Sequence, residues 1–227
     1  MADPSARDLI AEIAELRRRL DRVEDREAIV RLQYQYGYFI DNRMWEEMAA
    51  LFADHAAEME IGQRGVYVGR ERILRFLRDG LGGGRRGLLK DEIIHHIQLQ
   101  PVVTLSEDGL TAQCRARAQV QGNSPPGSGQ FLFAEGLYEN TYVKQADGWR
   151  IKRLWWVPTY YFQIAGFDKA AFDSGPPSED FPPDRPSVPK DEALGRRFPG
   201  FHYAHPVTGD VLGGPAAVPD GSASGEP

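Results

Sequence analysis

The chain has 227 residues, 41% of them hydrophobic and 11% aromatic, with a formal net charge of −6. That composition supports a packed core in one domain with extensions or in two small domains, and its acidic balance excludes the basic footprint of a general nucleic-acid binder. The one cysteine, Cys114, excludes an intramolecular disulfide and a cysteine-built metal site, and neither a basic leader nor a membrane-length apolar run is visible, so a cytoplasmic protein is expected.

Taken in chain order, residues 1–25 read as a helical extension. Leu9, Ile13, Leu16, Leu20 and Val23 recur at steps of 4, 3, 4 and 3 amid Arg and Glu. Such a stripe either packs an amphipathic helix on its own domain or serves as an oligomer contact. Residues 26–167 read as the folded core. Helical patterning continues through REAIVRLQYQYGYFIDNRM and resumes at WEEMAALFADHA, where Trp45, Met48, Ala49 and Phe52 share a face. A short strand pair is expected near 57–68 and a helix near 70–78. The glycine-rich stretch 80–87 lacks the GKS/T that a phosphate cradle needs. Four long strands follow at 92–105, 110–122, 130–145 and 148–162, with Asp-Gly signals in two of the turns. Helices first and an antiparallel meander after is an α+β pattern. Residues 168–227 form a Pro/Gly-rich tail: 11 of the 16 prolines lie beyond residue 174, which resists helix and central strand. Within it, RRFPGFHYAHPVTG is aromatic enough to pack on the domain, on a neighbouring subunit or over a cavity mouth.

Side-chain alternation then selects candidates. In DEIIHHIQLQP, His95 shares a face with Ile93, Ile97 and Leu99, whereas His96 falls with Gln98 and Gln100. A titratable ring among aliphatics is either a bonded core histidine or a base. In GWRIKRLWWVP, Arg153 shares a face with Trp149, Ile151, Trp155 and Val157. A cation there needs a partner or a wet cavity, and Glu135 and Glu139 have the right parity to pair with it. Asp41 ends the first core helix, with Tyr34 and Tyr38 behind it on one helical face and Tyr36 on the other. A histidine base oriented by a carboxylate, with a cation and a tyrosine nearby, suits proton abstraction and expulsion of a leaving group without metal or cofactor.

The runs DREAIVRLQYQYGYFIDNRMWEEMAALFADHAAEMEI, GVYVGRERILRFL, IIHHIQLQPVVTLSEDGLTA and GLYENTYVKQADGWRIKRL, in that order, resemble the SnoaL-like branch of the NTF2-like superfamily. The resemblance implies a cone-shaped α+β barrel, a curved antiparallel sheet with helices enclosing a pocket. Within the superfamily the chain looks most like cofactor-free lyases such as hexachlorocyclohexane dehydrochlorinase, scytalone dehydratase and bile-acid dehydratase. By that resemblance His95 takes the base position, Asp41 its dyad partner and Arg153 the cationic position. Tyr36, five residues before Asp41, takes the place of a lysine or catalytic tyrosine, with Tyr38 kept as its rival. Trp155, Trp149, Phe131, Phe133 and Tyr138 would line a roomy cavity. The expectation is a lyase, needing no cofactor or metal, that releases water or formaldehyde from a bulky aromatic or polycyclic substrate, in a homo-oligomer, a trimer before a dimer. The alternatives are an isomerase of the same fold and a non-catalytic binding or assembly module.

Overall fold

The structure is a computed structural model that describes residues 5–123, 126–166, 179–180, 182–184 and 203–211. The helical extension and the first helix of the core are one continuous helix, α1 (Ala6–Asp41). Nothing interrupts it: its first glycine is Gly37, it holds no proline, and Ala, Leu, Glu and Arg dominate it. Ser5 starts it through a capping box, its hydroxyl accepting the Asp8 N–H while the Asp8 carboxylate accepts the Ser5 N–H. Two short helices follow, α2 (Trp45–Ala50) and α3 (Arg70–Arg75), the latter running into a π-helical turn at Phe76–Leu81.

Six strands form one sheet: β1 (Glu58–Ile61), β2 (Val66–Val68), β3 (Ile94–Leu105), β4 (Thr111–Gly122), β5 (Gln130–Gln145) and β6 (Gly148–Ala165). Their order is β2-β1-β6-β5-β4-β3, antiparallel throughout except for the parallel β1–β6 pair. The α+β class is as expected. The sheet is curved and open, with β2 and β3 at its edges, so it does not close into the expected barrel.

One face carries the core. Along β4 the alternation is strict: Ala112, Cys114, Ala116 and Ala118 are buried, and Arg115 and Arg117 between them point outward to Glu139 and Glu135. The small inner side chains leave room for α1, which lies across β3 and β6. They face Ile29, Leu32, Tyr36, Phe39 and Ile40 of that helix in one core cluster. Cys114 sits in this layer, and burial pushes its thiol up to about 11. It therefore stays a neutral thiol through the physiological range. Iodoacetamide at pH 8 is expected to leave native Cys114 unmodified and to alkylate it once the chain is unfolded, as read by intact mass.

In the tail, Tyr203–Val211 docks beside α1 and α2. The buried His205 ring stacks on Phe39 with centroids 5.3 Å apart, its Nε2 donates to the Glu47 carbonyl at 2.9 Å, and its Nδ1 accepts the N–H groups of Val207 and Thr208 at 3.1 Å. The rest of the aromatic tail segment, residues 196–202 with His202, lies outside the described residues. Among the described residues, no helix is long and apolar enough to cross a membrane.

Candidate active site

The site begins where α1 ends. Asn42 caps the helix, donating from its side chain to the Tyr38 carbonyl at 2.7 Å. Arg43 then turns the chain with φ of 52°, a left-handed conformation that costs a non-glycine residue on the order of 1 kcal/mol. Asp41, the last helical residue, reaches across to β3. One carboxylate oxygen, Oδ1, accepts the backbone N–H of His96 at 2.6 Å and lies 3.0 Å from His96 Nδ1. The ring bond fixes the tautomer: with Nδ1–H donated to Asp41, Nε2 is left as an acceptor.

The histidine on Asp41 is thus His96, not the His95 that side-chain alternation predicts. His95 is exposed on the outer face beside Ile97, itself 41% exposed. The cause is a bulge. Out from the Ser106–Gly109 turn, Leu105 pairs with Ala112 and Val103 with Cys114, both on the inner face. An unbroken ladder would carry that face on to Leu99, Ile97 and His95. Between Leu99 and Val102 the register shifts by one residue, and Gln100 takes φ of 52°. A one-residue slip exchanges the two faces of a strand, so Gln98, His96 and Ile94 turn inward. Pro101 was the available signal, since proline inside a strand marks an edge or a bulge.

The inner face behind His96 is polar yet satisfied. Gln98 donates to the His96 carbonyl at 2.9 Å and accepts from Gln33 at 2.6 Å, and Gln33 Oε1 in turn accepts from Tyr142 at 2.7 Å and Asn140 at 2.8 Å. Tyr36 is fully buried and edge-on to Tyr138, with the two hydroxyls 3.4 Å apart. Burial raises both phenols, Tyr138 to about 12, and for Tyr36 the nearby charge of Asp41 adds to the effect. Both are neutral hydrogen-bonding groups at ordinary pH. Tyr38, the rival of Tyr36, points outward and is 49% exposed. The face it shares with Tyr34 is the solvent side of α1.

His96 opens into a cavity of about 240 Å³, walled by Ile40, Trp45, Leu81, Ile94, Val120, Leu132 and Tyr161, with Arg43 and Gln163 as further polar groups. Arg43 went unrecognised in the sequence. Its guanidinium is buried, donates to Glu92 Oε1 at 2.7 Å and lies 5.8 Å from the Trp45 ring. Glu92 is itself buried, and it also accepts from Arg85 and from the Leu89 N–H.

Arg153 lies elsewhere. It projects outward from β6, donates to Glu60 of β1 at 2.9 Å and stacks over Trp155 at 4.7 Å. Its partner is Glu60 because β1 joins β6 in parallel, a pairing that the meander pattern did not announce; Glu135 and Glu139 are engaged by Arg117 and Arg115. Of the expected cavity aromatics, Trp155 shares that outer side. Phe133 stacks on Phe162 and Tyr160 of the outer face, and Phe131 has the same parity. Trp149 donates to Asp25 at 2.7 Å beneath α1. Tyr138 faces inward but packs behind the site, and none of the five lines the cavity. Trp45 and Tyr161 supply the aromatic walls instead.

A larger cavity, about 660 Å³, lies at the β3–β4 turn end of the sheet, lined by His55, Lys152, Thr104 and Ser106 among others. Its lining includes no carboxylate, so it offers no oriented acid–base pair, and the His96 cavity is the better candidate despite its size. Among the described residues, no three His, Cys, Asp or Glu side chains gather in a way that could hold a metal ion.

A model of the SnoaL-like domain matches residues 21–154, which takes in α1 from its first anchored turn, Asp41, both histidines and most of the sheet. The chain belongs to the SnoaL-like family. The solved structures similar to this SnoaL-like chain agree on the fold. A LinA-type3 hexachlorocyclohexane dehydrochlorinase from Novosphingobium barchaimii is 20% identical, with 67% of this chain and 98% of that one covered at a TM-score of 0.58. A candidate scytalone dehydratase from Novosphingobium aromaticivorans is 21% identical, covering 66% and 91% at 0.52. An NTF2-like protein with a cystatin-like fold from the same organism is 22% identical, covering 70% and 92% at 0.51. No curated protein matches the sequence.

Proposed function

We propose that this SnoaL-like domain is a cofactor-independent lyase in which His96, oriented by Asp41, is the general base. The observation that carries the reading is the double use of Asp41 Oδ1. It accepts both the backbone N–H and the ring of His96, so the imidazole is fixed in tautomer beside a cavity that also holds Arg43. The similar folds of a dehydrochlorinase and a candidate dehydratase support the reaction class.

In an elimination, His96 Nε2 takes a proton from carbon. The electrons of that C–H bond form a C=C bond, and the C–O bond to the leaving group breaks. The departing hydroxide takes the proton back from the imidazolium and leaves as water. In the retro-aldol variant the proton comes from a hydroxyl. That C–O becomes a carbonyl, the adjacent C–C bond breaks, formaldehyde departs, and the carbanion is protonated by the imidazolium. In both, Asp41 stabilises the imidazolium and the Arg43 cation stabilises developing negative charge. The cavity, at about 240 Å³, is just below the usual range of roughly 300–1,000 Å³ for sites that enclose a drug-sized ligand. It suits the reacting end of an aryl substrate, one ring and its neighbouring carbons, better than a polycycle enclosed whole.

Purified protein without added metal or cofactor, screened on aryl β-hydroxy compounds and aryl diols by mass spectrometry, should release water or formaldehyde. If wild type and His96→Ala bind a panel member equally with no turnover by either, the lyase reading fails and a binding module takes its place. Arg153→Ala is expected to leave kcat/KM near wild type, because its guanidinium is outside the cavity and engaged by Glu60. A large loss in that variant would restore Arg153 to the site.

A further inference from the structure

The first half of α1 stands off the domain it belongs to. Leu9, Ile13, Leu16, Leu20 and Val23 are each 45–58% exposed. The anchoring residues lie on the opposite side of the helix: Arg22 donates to the Ser106 carbonyl at 3.2 Å, Asp25 holds Lys144 and Trp149, and Ile29 and Leu32 enter the core. At 1.5 Å per residue, positions 6–21, ahead of the first anchor at Arg22, project about 24 Å. An isolated helix of this length is marginal in water, and its stability normally comes from burying its apolar face. Nothing among the described residues covers this one.

We infer that the stripe is the seam of a parallel, in-register coiled coil with the same helix of a second copy of this chain. The steps of 4, 3, 4 and 3 place Ile13 and Leu20 at a, and Leu9, Leu16 and Val23 at d. The flanking charges select the partner. Position g holds Glu12 and Arg19; position e of the following heptads holds Arg17 and Glu24, and all four are exposed. In a parallel pair, g of one helix faces the next e of the other. Glu12 then meets Arg17 of the second copy, and Arg19 meets Glu24 of the second copy, so both contacts join opposite charges on both sides of the seam. An antiparallel overlap of the whole stripe sets Arg17 against Ile10 and keeps only a Glu12–Arg19 contact. The geometry also leaves room, because each domain hangs from the side of its helix remote from the seam. Arg18 and Glu15, outside the seam, already pair within one helix.

Sedimentation of the full chain over a concentration series tests this. Wild type should associate, and Leu16→Glu/Leu20→Glu should sediment as a single chain with its far-UV spectrum unchanged. Glu12→Arg and Arg17→Glu, each placing like charges together, should weaken association about tenfold. The double swap Glu12→Arg/Arg17→Glu should recover it, which an antiparallel pair would not do. A wild type that stays a single chain, a seam variant that keeps the wild-type mass, or a double swap that fails to recover each overturns the proposal.

Discussion

Replacing His96 with alanine is expected to lower turnover by about 10²–10⁴-fold, the usual contribution of a positioned general base. His95→Ala, one residue away, should leave the rate near wild type. The comparison is clean because His96→Ala keeps the stronger structural link: the backbone N–H at position 96 still donates to Asp41 Oδ1, at 2.6 Å in the native protein. The helix end thus remains tied to β3 while the imidazole is gone. Steady-state kinetics and a thermal melt of each variant check this. A drop with His95→Ala and none with His96→Ala would show that the bulge does not set the strand's faces in solution as described. Asp41→Asn should fall between them, since the amide can still accept the N–H but no longer stabilises an imidazolium.

The second large effect is on stability. Glu92→Ala is expected to destabilise the fold by about 3–5 kcal/mol, the cost of leaving a buried charge uncompensated. Arg43 and Glu92 are almost wholly buried, at 4% and 0% side-chain exposure, and 2.7 Å apart. Removing the carboxylate strands the Arg43 cation and deprives the Leu89 N–H of its acceptor. Glu92→Gln, which keeps the shape and part of the hydrogen bonding, should cost less. Chemical denaturation measures both. By contrast, breaking the exposed Arg115–Glu139 pair by Arg115→Ala should change stability by roughly 0–1 kcal/mol. A Glu92→Ala variant as stable as that one would mean the buried pair is solvated or dispensable.

Much of the architecture was legible in the sequence. The four long strands and their two Asp-Gly turns could be placed because alternation and turn chemistry are local signals. The family could be recognised because its motifs keep their order along the chain. What escaped was governed by non-local geometry. The single residue added at Gln100 reverses the sense of β3, and its clue, Pro101, sits inside an alternation that otherwise matches one unbroken strand. The aliphatic-inside assumption also misled, because the inner face near the site is a satisfied polar network of Gln33, Gln98, Asn140 and Tyr142. A long polar residue is cheap to bury once bonded, so polarity there did not mean outside. Arg153 was misplaced because its partners come from β1, more than ninety residues away in sequence and joined in parallel. Arg43 could not be singled out from its neighbours, since its inward turn depends on a left-handed backbone angle that no residue type at that position announces.

The bulge has a consequence for how this chain can change. Substitution at His95 or His96 alters the chemistry of one position. At unchanged length, a β3 that paired without the bulge would rotate its whole first half and present His95 in place of His96, whereas loss of one residue at Gln100, about four positions away, would abolish the bulge and keep His96 inside. With two imidazoles in tandem, either phase of the strand offers one to the interior. The bulge therefore acts as a remote selector between two side chains, and the pairing at Gln100, rather than the identity of any residue in the cavity, decides which of them Asp41 receives.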